Sequence, residues 1–342
     1  MKFRSLAAAL LLALLHGPAH AAFSNLGILG DSLSDTGRLA RATSDATLGL
    51  FSVPHDPYFQ GRFSNGPVWV DYYAASHPGI SIGNAAMGGA FSGVLNGRDN
   101  AGDDELGGVP FFGGSLQAAA SGLNAQLPLV PNVTGTHTAF VVWIGANDIN
   151  SALDIGFVNP QDVVPTTLGN VNNAINTLLS LGASDIYVGN LPDLGRTPSG
   201  LASGRATDLT AATINFNNGL LSLVAGAGAQ VHLVDLFTPF NALLSNAGAL
   251  GYSDTITPCV DGLLDSTACA DPNAHLFWDT IHPTTGVHRM IAGVFADSFE
   301  ASPVPAPRSG LLMVPACGWL VTRCRSRRAG RGLSPPASGK KC

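Results

Sequence analysis

A serine near the N-terminus and an aspartate–histidine pair near the C-terminus have the side chains that nucleophilic catalysis needs. Ser32 stands in GDSL, directly after the apolar run LGIL. Asp279 precedes His282 by three residues in FWDTIHPTT. On one helical turn or in a tight loop, that spacing lets the carboxylate reach the imidazole and fix its tautomer. A serine hydroxyl is a weak nucleophile at neutral pH and needs such a base to take its proton.

Candidate hydrogen-bond donors follow two further apolar runs. Gly88 and Gly89, in GNAAMGGAFSG, leave backbone N–H groups open to close approach. Asn147, in WIGANDIN, adds a side-chain amide. Donors of this kind stabilise the oxyanion that develops when a nucleophile attacks a carbonyl carbon.

The turn at GDSL also has an ordinary structural interpretation. Gly30 and Gly37 let the chain turn sharply, and Asp31 or Ser32 could cap a following helix. The four residues alone favour this interpretation. The polar groups and glycines that follow the other apolar runs favour the catalytic one.

The elements that must position these residues are indicated by short apolar runs and by helical patterns between them. Five runs, rich in β-branched or aromatic residues and bounded by turn formers, predict buried strands at 26–29, 79–86, 139–145, 185–191 and 230–236. Helical spacing predicts helices at 66–76, 166–182, 206–228 and 284–299. This alternation predicts an α/β fold with parallel strands and helices on both faces. Such sheets bind ligands at the carboxyl ends of their strands, where Ser32 lies.

Five motifs in order carry a resemblance to a known family. GDSLSDTG, GRFSNGPVWVDYYA, GNAAMGGAFSG, IGANDIN and WDTIHPTTGVHRMIA resemble those of the GDSL-type (SGNH) serine hydrolases, over about residues 24–299. The likeness is greatest to the secreted bacterial esterase, lipase and lecithinase-like branch. It implies the SGNH hydrolase fold, a three-layer α/β/α sandwich around a flavodoxin-like five-stranded parallel sheet. It also implies chemistry that requires no metal and no organic cofactor.

The resemblance assigns a role to each matching residue. Ser32 is the expected nucleophile, His282 the general base and Asp279 the residue that orients it. The backbone N–H groups of Ser32 and Gly89 and the amide of Asn147 are the expected oxyanion hole, with the glycine before Gly89 as the less favoured register.

Several other residues are more easily explained by structure. Asp148 is expected to make structural hydrogen bonds, and Asp31 is too close to Ser32 in sequence to orient a distant histidine. The remaining histidines are scattered without ligand spacing, which argues against a metal site. The stretch HDPYFQGRFSNGP fits either an acyl pocket or a packed loop.

The charge distribution separates the chain into an acidic body and a basic end. All 23 acidic residues lie between positions 23 and 303, where there are only seven arginines and no lysine. An acidic body argues against binding to nucleic acid or to anionic membrane surfaces.

Both ends of the chain resemble sorting signals. Residues 1–21 have the charged, apolar and small-residue order of a secretory signal peptide, which predicts export and leaves a hydrolase-like domain at 22–301. Residues 302–342 combine a proline-rich spacer, a short apolar segment and an arginine cluster. They resemble a degenerate bacterial PEP-CTERM tail, which would attach the protein to a membrane or cell surface. The alternative is a disordered basic tail.

Two of the five cysteines lie in the body. Cys259 and Cys269 flank the polar stretch VDGLLDSTA, and export would let them pair as a disulfide that closes this loop. Metal binding is the rival interpretation, weakened by the lack of a second cysteine pair nearby.

The leading hypothesis is an exported serine hydrolase that cleaves small-molecule or lipid acyl esters. Removal of acetyl groups from polysaccharide is an alternative within the same chemistry. A non-catalytic surface or matrix protein of the same fold is an alternative from another class. A dinucleotide-binding enzyme is disfavoured because no Gly-x-Gly-x-x-Gly follows the first strand.

Overall fold

The computed structural model describes residues 23–94, 121–154, 159–262 and 267–301, and all of these lie within one compact unit. The predicted signal peptide at 1–21 and the tail at 302–342 lie outside the described residues.

Each of the five apolar runs forms a strand of one parallel sheet. The strands are β1 Asn25–Gly30, β2 Ser81–Asn84, β3 Thr138–Trp143, β4 Asp185–Gly189 and β5 Val231–Val234. Their order across the sheet is β2-β1-β3-β4-β5, which is the flavodoxin-like order. The predicted fold class is therefore confirmed, and it places the carboxyl end of β1 between the ends of β2 and β3.

Nine α-helices lie in the described part of the chain. They are α1 Arg38–Ala46, α2 Trp69–Ser76, α3 Leu123–Gln126, α4 Ala146–Asp154, α5 Pro160–Ser180, α6 Pro198–Ala202, α7 Ala206–Gly226, α8 Phe237–Ser245 and α9 Thr285–Ala301. The four predicted helices correspond to α2, α5, α7 and α9. Helix α5 begins well before the predicted start, because Pro160 occupies its first turn and the Asn159 side chain accepts a hydrogen bond from Gln161 N.

The helix that follows the GDSL turn is capped by a different residue from those predicted. Helix α1 begins after Gly37, not directly after the turn. The carboxylate of Asp35 accepts hydrogen bonds from the backbone N–H groups of Arg38 and Leu39. Neither Asp31 nor Ser32 caps the helix, which leaves the Ser32 side chain for another partner.

Helices cover both faces of the sheet. Helix α2 packs against α9, while α4, α5 and α7 pack against one another. The ring of Phe295 in α9 stacks on Trp69 of α2 at 4.1 Å between centroids and meets Trp143 of β3 edge-on at 5.8 Å. This aromatic contact fixes α9, and therefore the loop before it, relative to the centre of the sheet.

One glycine in β1 makes room for a side chain of the neighbouring strand. Gly27 pairs with Gly83 on β2 and with Phe140 on β3. A Cβ atom at position 27 would lie 2.3 Å from ring carbons of Phe140, whereas a Cβ atom at position 83 would meet nothing within 4 Å.

We therefore expect Gly27→Ala to lower the free energy of unfolding by about 1–3 kcal/mol, because the added methyl group overpacks the sheet. The matched control Gly83→Ala should change it by less than about 0.5 kcal/mol. Urea unfolding of both variants measures the difference. An equal effect of the two substitutions would contradict the assigned register.

Candidate active site

The structure brings Ser32, His282 and Asp279 into one hydrogen-bonded relay. The Oγ atom of Ser32 lies 2.7 Å from Nε2 of His282. Nδ1 of the same imidazole lies 2.6 Å from Oδ2 of Asp279. All three residues are buried. This arrangement can pass the serine proton to the imidazole while the carboxylate holds the opposite side of the ring.

Asp279 and His282 lie in a tight loop, not on a helical turn. Oδ1 of Asp279 accepts hydrogen bonds from the backbone N–H groups of Ile281, at 2.9 Å, and His282, at 2.7 Å. The N–H group of Trp278 donates to the carbonyl oxygen of His282 at 2.7 Å and closes the loop. Helix α9 begins only at Thr285, so the three-residue spacing acts through a side-chain-stabilised turn.

The carboxyl group of Asp279 is kept ionised despite its burial. Burial raises its pKa, but the charge of His282 and the hydrogen bonds from His282 and Ile281 outweigh this effect, so that the pKa is lowered overall. An ionised carboxylate only accepts hydrogen bonds, so Nδ1 of His282 must carry a proton. In the neutral imidazole, Nε2 is then the acceptor for the Ser32 hydroxyl.

The two glycines of the loop after β2 differ in what their N–H groups contact. The N–H group of Gly88 donates to Oδ2 of Asp35 at 2.8 Å. Gly89 has a φ angle of +76°, and no described residue accepts a hydrogen bond from its N–H group. Among the described residues, the Gly88 N–H group thus has an acceptor within the protein and the Gly89 N–H group has none.

Asn147 and Asp148 in the first turn of α4 tie this helix to the loop after β2. The Nδ2 atom of Asn147 donates to the carbonyl oxygen of Ala90 at 2.9 Å, and the side chain lines the same cleft as Ser32. Asp148 accepts hydrogen bonds from Ser92 N at 2.9 Å and Ser92 Oγ at 2.5 Å. The prediction that Asp148 makes structural hydrogen bonds agrees with these contacts.

A largely apolar cleft begins at the Ser32–His282 contact. Its apolar lining includes Trp143, Phe240, Phe277, Ile281, Met290 and Ile291. Asp31 also faces this cleft, but its Oδ1 atom accepts a hydrogen bond from Leu33 N at 3.1 Å. Burial raises the pKa of Asp31 to about 7. Because most of its lining is apolar, the cleft can receive an apolar group beside the serine hydroxyl.

The aromatic stretch HDPYFQGRFSNGP lies behind the relay and does not line the cleft. The hydroxyl of Tyr58 donates to Oδ2 of Asp279 at 2.8 Å. The ring of Phe63 lies 4.9 Å from the His282 ring, centroid to centroid. Of the two sequence interpretations, the structure therefore supports the packed loop. Sequence reasoning missed the contact with Asp279, because no local spacing connects residues so far apart in the chain.

A buried glutamine, which the sequence did not identify as important, bonds to the end of β1. Gln126, in α3, pairs with both backbone groups of Gly30: its Oε1 accepts from Gly30 N at 2.9 Å and its Nε2 donates to Gly30 O at 2.8 Å. Its Nε2 also donates to Ser121 O at 2.8 Å. A lone glutamine in a short polar stretch carries no sequence signal for this role. It holds the end of β1 in place two residues before Ser32.

Cys259 and Cys269 form a disulfide in the structure. The segment that contains Cys259 lies beside the chain that leads into Asp279. The N–H group of Val260 donates to the carbonyl oxygen of Trp278 at 2.8 Å, and that of Cys259 donates to Phe277 O at 3.3 Å. The disulfide loop therefore braces the backbone just before the relay.

The described residues contain neither a cluster of metal ligands nor a helix that could span a membrane. They contain no group of three or more His, Cys, Asp or Glu side chains arranged to hold a metal ion. Among them, too, no helix has the length and apolarity that crossing a membrane requires.

Comparison with known proteins identifies the family of this chain. The family model described as GDSL-like Lipase/Acylhydrolase matches residues 26–295. The chain belongs to this family. It is accordingly a carboxylic-ester hydrolase, and the matched range covers the sheet, the cleft and the relay.

The curated relatives of this GDSL-family chain include two bacterial proteins. The phosphatidylcholine-sterol acyltransferase of Aeromonas hydrophila is 28% identical over 338 residues, which covers 82% of this chain and 91% of that protein. The thermolabile hemolysin of Vibrio parahaemolyticus is 27% identical over 288 residues and is covered to 62% by a match that includes 79% of this chain. A solved catalytic mutant of an acetylxylan esterase from Geobacillus stearothermophilus is 15% identical with a TM-score of 0.45, covering 81% of this chain and 94% of that one.

Gly88 gives a test of the loop geometry in this GDSL-family enzyme. A Cβ atom at position 88 would lie 2.2 Å from the Phe63 ring, which itself contacts His282. We expect Gly88→Ala to lower kcat by about tenfold to a hundredfold, because the methyl group displaces the ring beside the imidazole and shifts the backbone of the loop.

The control is Gly93→Ala in the same loop, where a Cβ atom would make an ordinary contact at 3.7 Å with Asn170. Its kcat on a chromogenic ester should stay close to that of the parent. Full activity of Gly88→Ala would show that the Phe63–His282 contact is not needed for turnover.

Proposed function

We propose that this chain is an exported serine esterase that hydrolyses acyl esters, lipid esters among them, through an acyl-enzyme formed on Ser32. The observation that carries the proposal is the relay from Ser32 Oγ through His282 to Asp279, with contacts of 2.7 and 2.6 Å at the mouth of an apolar cleft. The family assignment supplies the reaction class.

In the first half of the reaction, Ser32 Oγ attacks the acyl carbon and its proton passes to Nε2 of His282. The imidazolium that forms is stabilised by the ionised carboxylate of Asp279. As the tetrahedral intermediate collapses, the bond to the alcohol oxygen breaks and the alcohol leaves with the proton from Nε2. The acyl group remains as an ester of Ser32.

The negative oxygen of the intermediate would be bound by three donors: the N–H groups of Ser32 and Gly89 and the Nδ2 group of Asn147. The Asn147 amide already has one hydrogen directed at Ala90 O, which orients the second hydrogen. In the second half, His282 takes a proton from water as the water attacks the acyl carbon, and Ser32 Oγ leaves and regains a proton.

The cleft supports a substrate with an apolar acyl chain. Its walls are mainly aromatic and aliphatic, including Trp143, Phe240 and Phe277, and such surface gains free energy when it covers an apolar chain. The relative named as a phosphatidylcholine-sterol acyltransferase supports a lipid as acyl donor. The acidic body of the chain favours neutral or zwitterionic substrates over polyanionic ones.

The two alternatives fit these observations less well. A polysaccharide O-acetylesterase binds a polar sugar next to a single acetyl group, whereas the lining of this cleft is mainly aromatic and aliphatic. A non-catalytic surface protein has no use for a buried carboxylate aligned with a buried histidine, because burying these groups costs stability. The complete relay therefore favours catalysis.

We further propose the domain organisation that the sequence predicts: a signal peptide at 1–21, a hydrolase domain at 22–301 and a sorting-signal-like tail at 302–342. The Cys259–Cys269 disulfide supports export, because disulfides persist in oxidising compartments. Attachment to a membrane or cell surface would be a property of the tail.

The serine mechanism is tested by Ser32→Ala. We expect the parent protein to hydrolyse p-nitrophenyl esters and Ser32→Ala to lose at least about 10⁴-fold in kcat, because the nucleophile is removed while the fold is kept. Circular dichroism provides the control for folding. A folded parent that is inactive from acetate to palmitate, but releases acetate from acetylated xylan, would favour the polysaccharide alternative.

The assignment of the cleft is tested by Met290→Trp. Met290 is partly buried on α9 and lines the cleft, so a larger side chain should shorten the space for the acyl chain. We expect kcat/KM to fall about tenfold or more for octanoate and longer esters and to change little for acetate. Met290→Leu keeps a similar volume and should retain the parent profile. A uniform loss across all chain lengths would contradict the assignment.

A further inference from the structure

The carboxylate of Asp279 accepts a hydrogen bond from a side chain outside the Ser32–His282–Asp279 relay. Oδ2 of Asp279 receives the Tyr58 hydroxyl at 2.8 Å as well as Nδ1 of His282 at 2.6 Å. We propose that Tyr58 is a positioning residue, whose hydroxyl holds the carboxylate oxygen that orients the base. This inference rests on the proposed function, because it concerns the same relay.

The direction of this hydrogen bond follows from the chemistry of its partners. A tyrosine hydroxyl has a single proton, and an ionised carboxylate can only accept. The hydroxyl lies 2.8 Å from Asp279 and 3.3 Å from the carbonyl oxygen of Gly262, so the carboxylate is its main acceptor. Tyr58 therefore shares Oδ2 with the imidazole, whereas the donors to Oδ1 among the described residues are the backbone N–H groups of Ile281 and His282.

The position of the hydroxyl is set by packing. Tyr58 is only 2% exposed, and its ring meets Trp278 edge-on at 5.8 Å and Phe63 edge-on at 6.3 Å. Phe63 in turn packs against the His282 ring. Trp278 is the residue directly before Asp279. The Tyr58 ring therefore has little freedom to rotate or shift. Its hydroxyl is held in one place and keeps Oδ2 of Asp279 in position.

This contact should affect the chemistry in two ways. First, it prevents Oδ2 from swinging away when His282 becomes charged. Second, it draws part of the negative charge of Oδ2 away from the imidazole, which makes the protonated base less stable. Loss of the hydroxyl should therefore weaken the orientation of the ring and also make the base easier to protonate.

Other titratable groups near His282 must be considered in any pH profile. Asp31, in the cleft, and the buried His288, on α9, both interact electrostatically with His282, and Asp148 acts on Asp31. Burial raises the pKa of Asp31 to about 7, so this group changes its ionisation within the pH range over which activity would be measured. Substitution of Tyr58 leaves these groups in place, so a difference between parent and variant reports on the Tyr58 contact.

The test is Tyr58→Phe, which keeps the packed ring and removes the hydroxyl. We expect kcat to fall about tenfold with KM nearly unchanged, because one charge-assisted hydrogen bond is lost. The acidic limb of the kcat/KM profile should move to higher pH by roughly 0.5–1 unit. The control is Tyr72→Phe, which removes a hydroxyl that makes a 2.7 Å hydrogen bond to Thr285 Oγ1. The acidic limb of the kcat/KM profile of Tyr72→Phe should stay at the pH of the parent.

A second measurement does not depend on turnover. The proton on Nδ1 of His282 should give a far-downfield ¹H resonance that is absent from Asp279→Asn. In Tyr58→Phe it should move further downfield, because Oδ2 no longer shares its charge with the hydroxyl.

An unmoved limb and an unmoved resonance in Tyr58→Phe would overturn the inference, even if the variant lost stability. Activity of the parent together with inactivity of Ser32→Ala would still support the proposed function in that case. An inactive parent would reject the proposed function, whereas the resonance would still test the Tyr58 contact.

Discussion

The 2.7 Å contact between Ser32 Oγ and His282 Nε2 is the constraint on which the rest of this structure depends. The two residues are 250 positions apart in the chain. One follows β1, which lies between β2 and β3 in the sheet, and the other lies in the loop before α9. The contact therefore requires the sheet order, the packing of α9 and the turn around Asp279 to be correct together. A change of the order of an ångström in any of them would separate the serine hydroxyl from the imidazole.

The cost of this site is a buried negative charge. Asp279 is nearly inaccessible, and an isolated carboxylate there would take up a proton. From the described residues its oxygens instead accept four hydrogen bonds, two from backbone N–H groups and two from the side chains of His282 and Tyr58. The charge beside the imidazole is thus stabilised both by its own turn and by a loop from near the other end of the chain.

The loop after β2 is also held by side-chain hydrogen bonds. Asp35 caps α1 and also holds the N–H group of Gly88, while Ala90 receives the amide of Asn147. The loop after β2 is therefore attached to α1 and to α4. In the proposed mechanism, a loop held at both points would present the Gly89 N–H group to the developing negative charge without reorganisation.

Much of the fold could be predicted because its signals are local. Five short apolar runs between turn formers identify five strands, and their alternation with helical patterns identifies a parallel sheet. Boundaries were less predictable: the start of α5 depends on Asn159 and Pro160, and α1 is capped by Asp35 through a loop conformation. These features depend on which side chain reaches a backbone group, and the hydrophobic pattern does not contain that information.

By itself, the sequence determined the fold class, the edge of the sheet where chemistry occurs, and the residue types at that edge, since order and composition are local properties. The motif order also singled out Ser32, Asp279 and His282. Only the tertiary structure decided that the Gly88 N–H group bonds to Asp35, that Asp279 reaches His282 from a tight loop, and that Tyr58 donates to the same carboxylate. Tyr58 and Asp279 are 221 residues apart, and their contact exists because the folded sheet brings two loops to one edge.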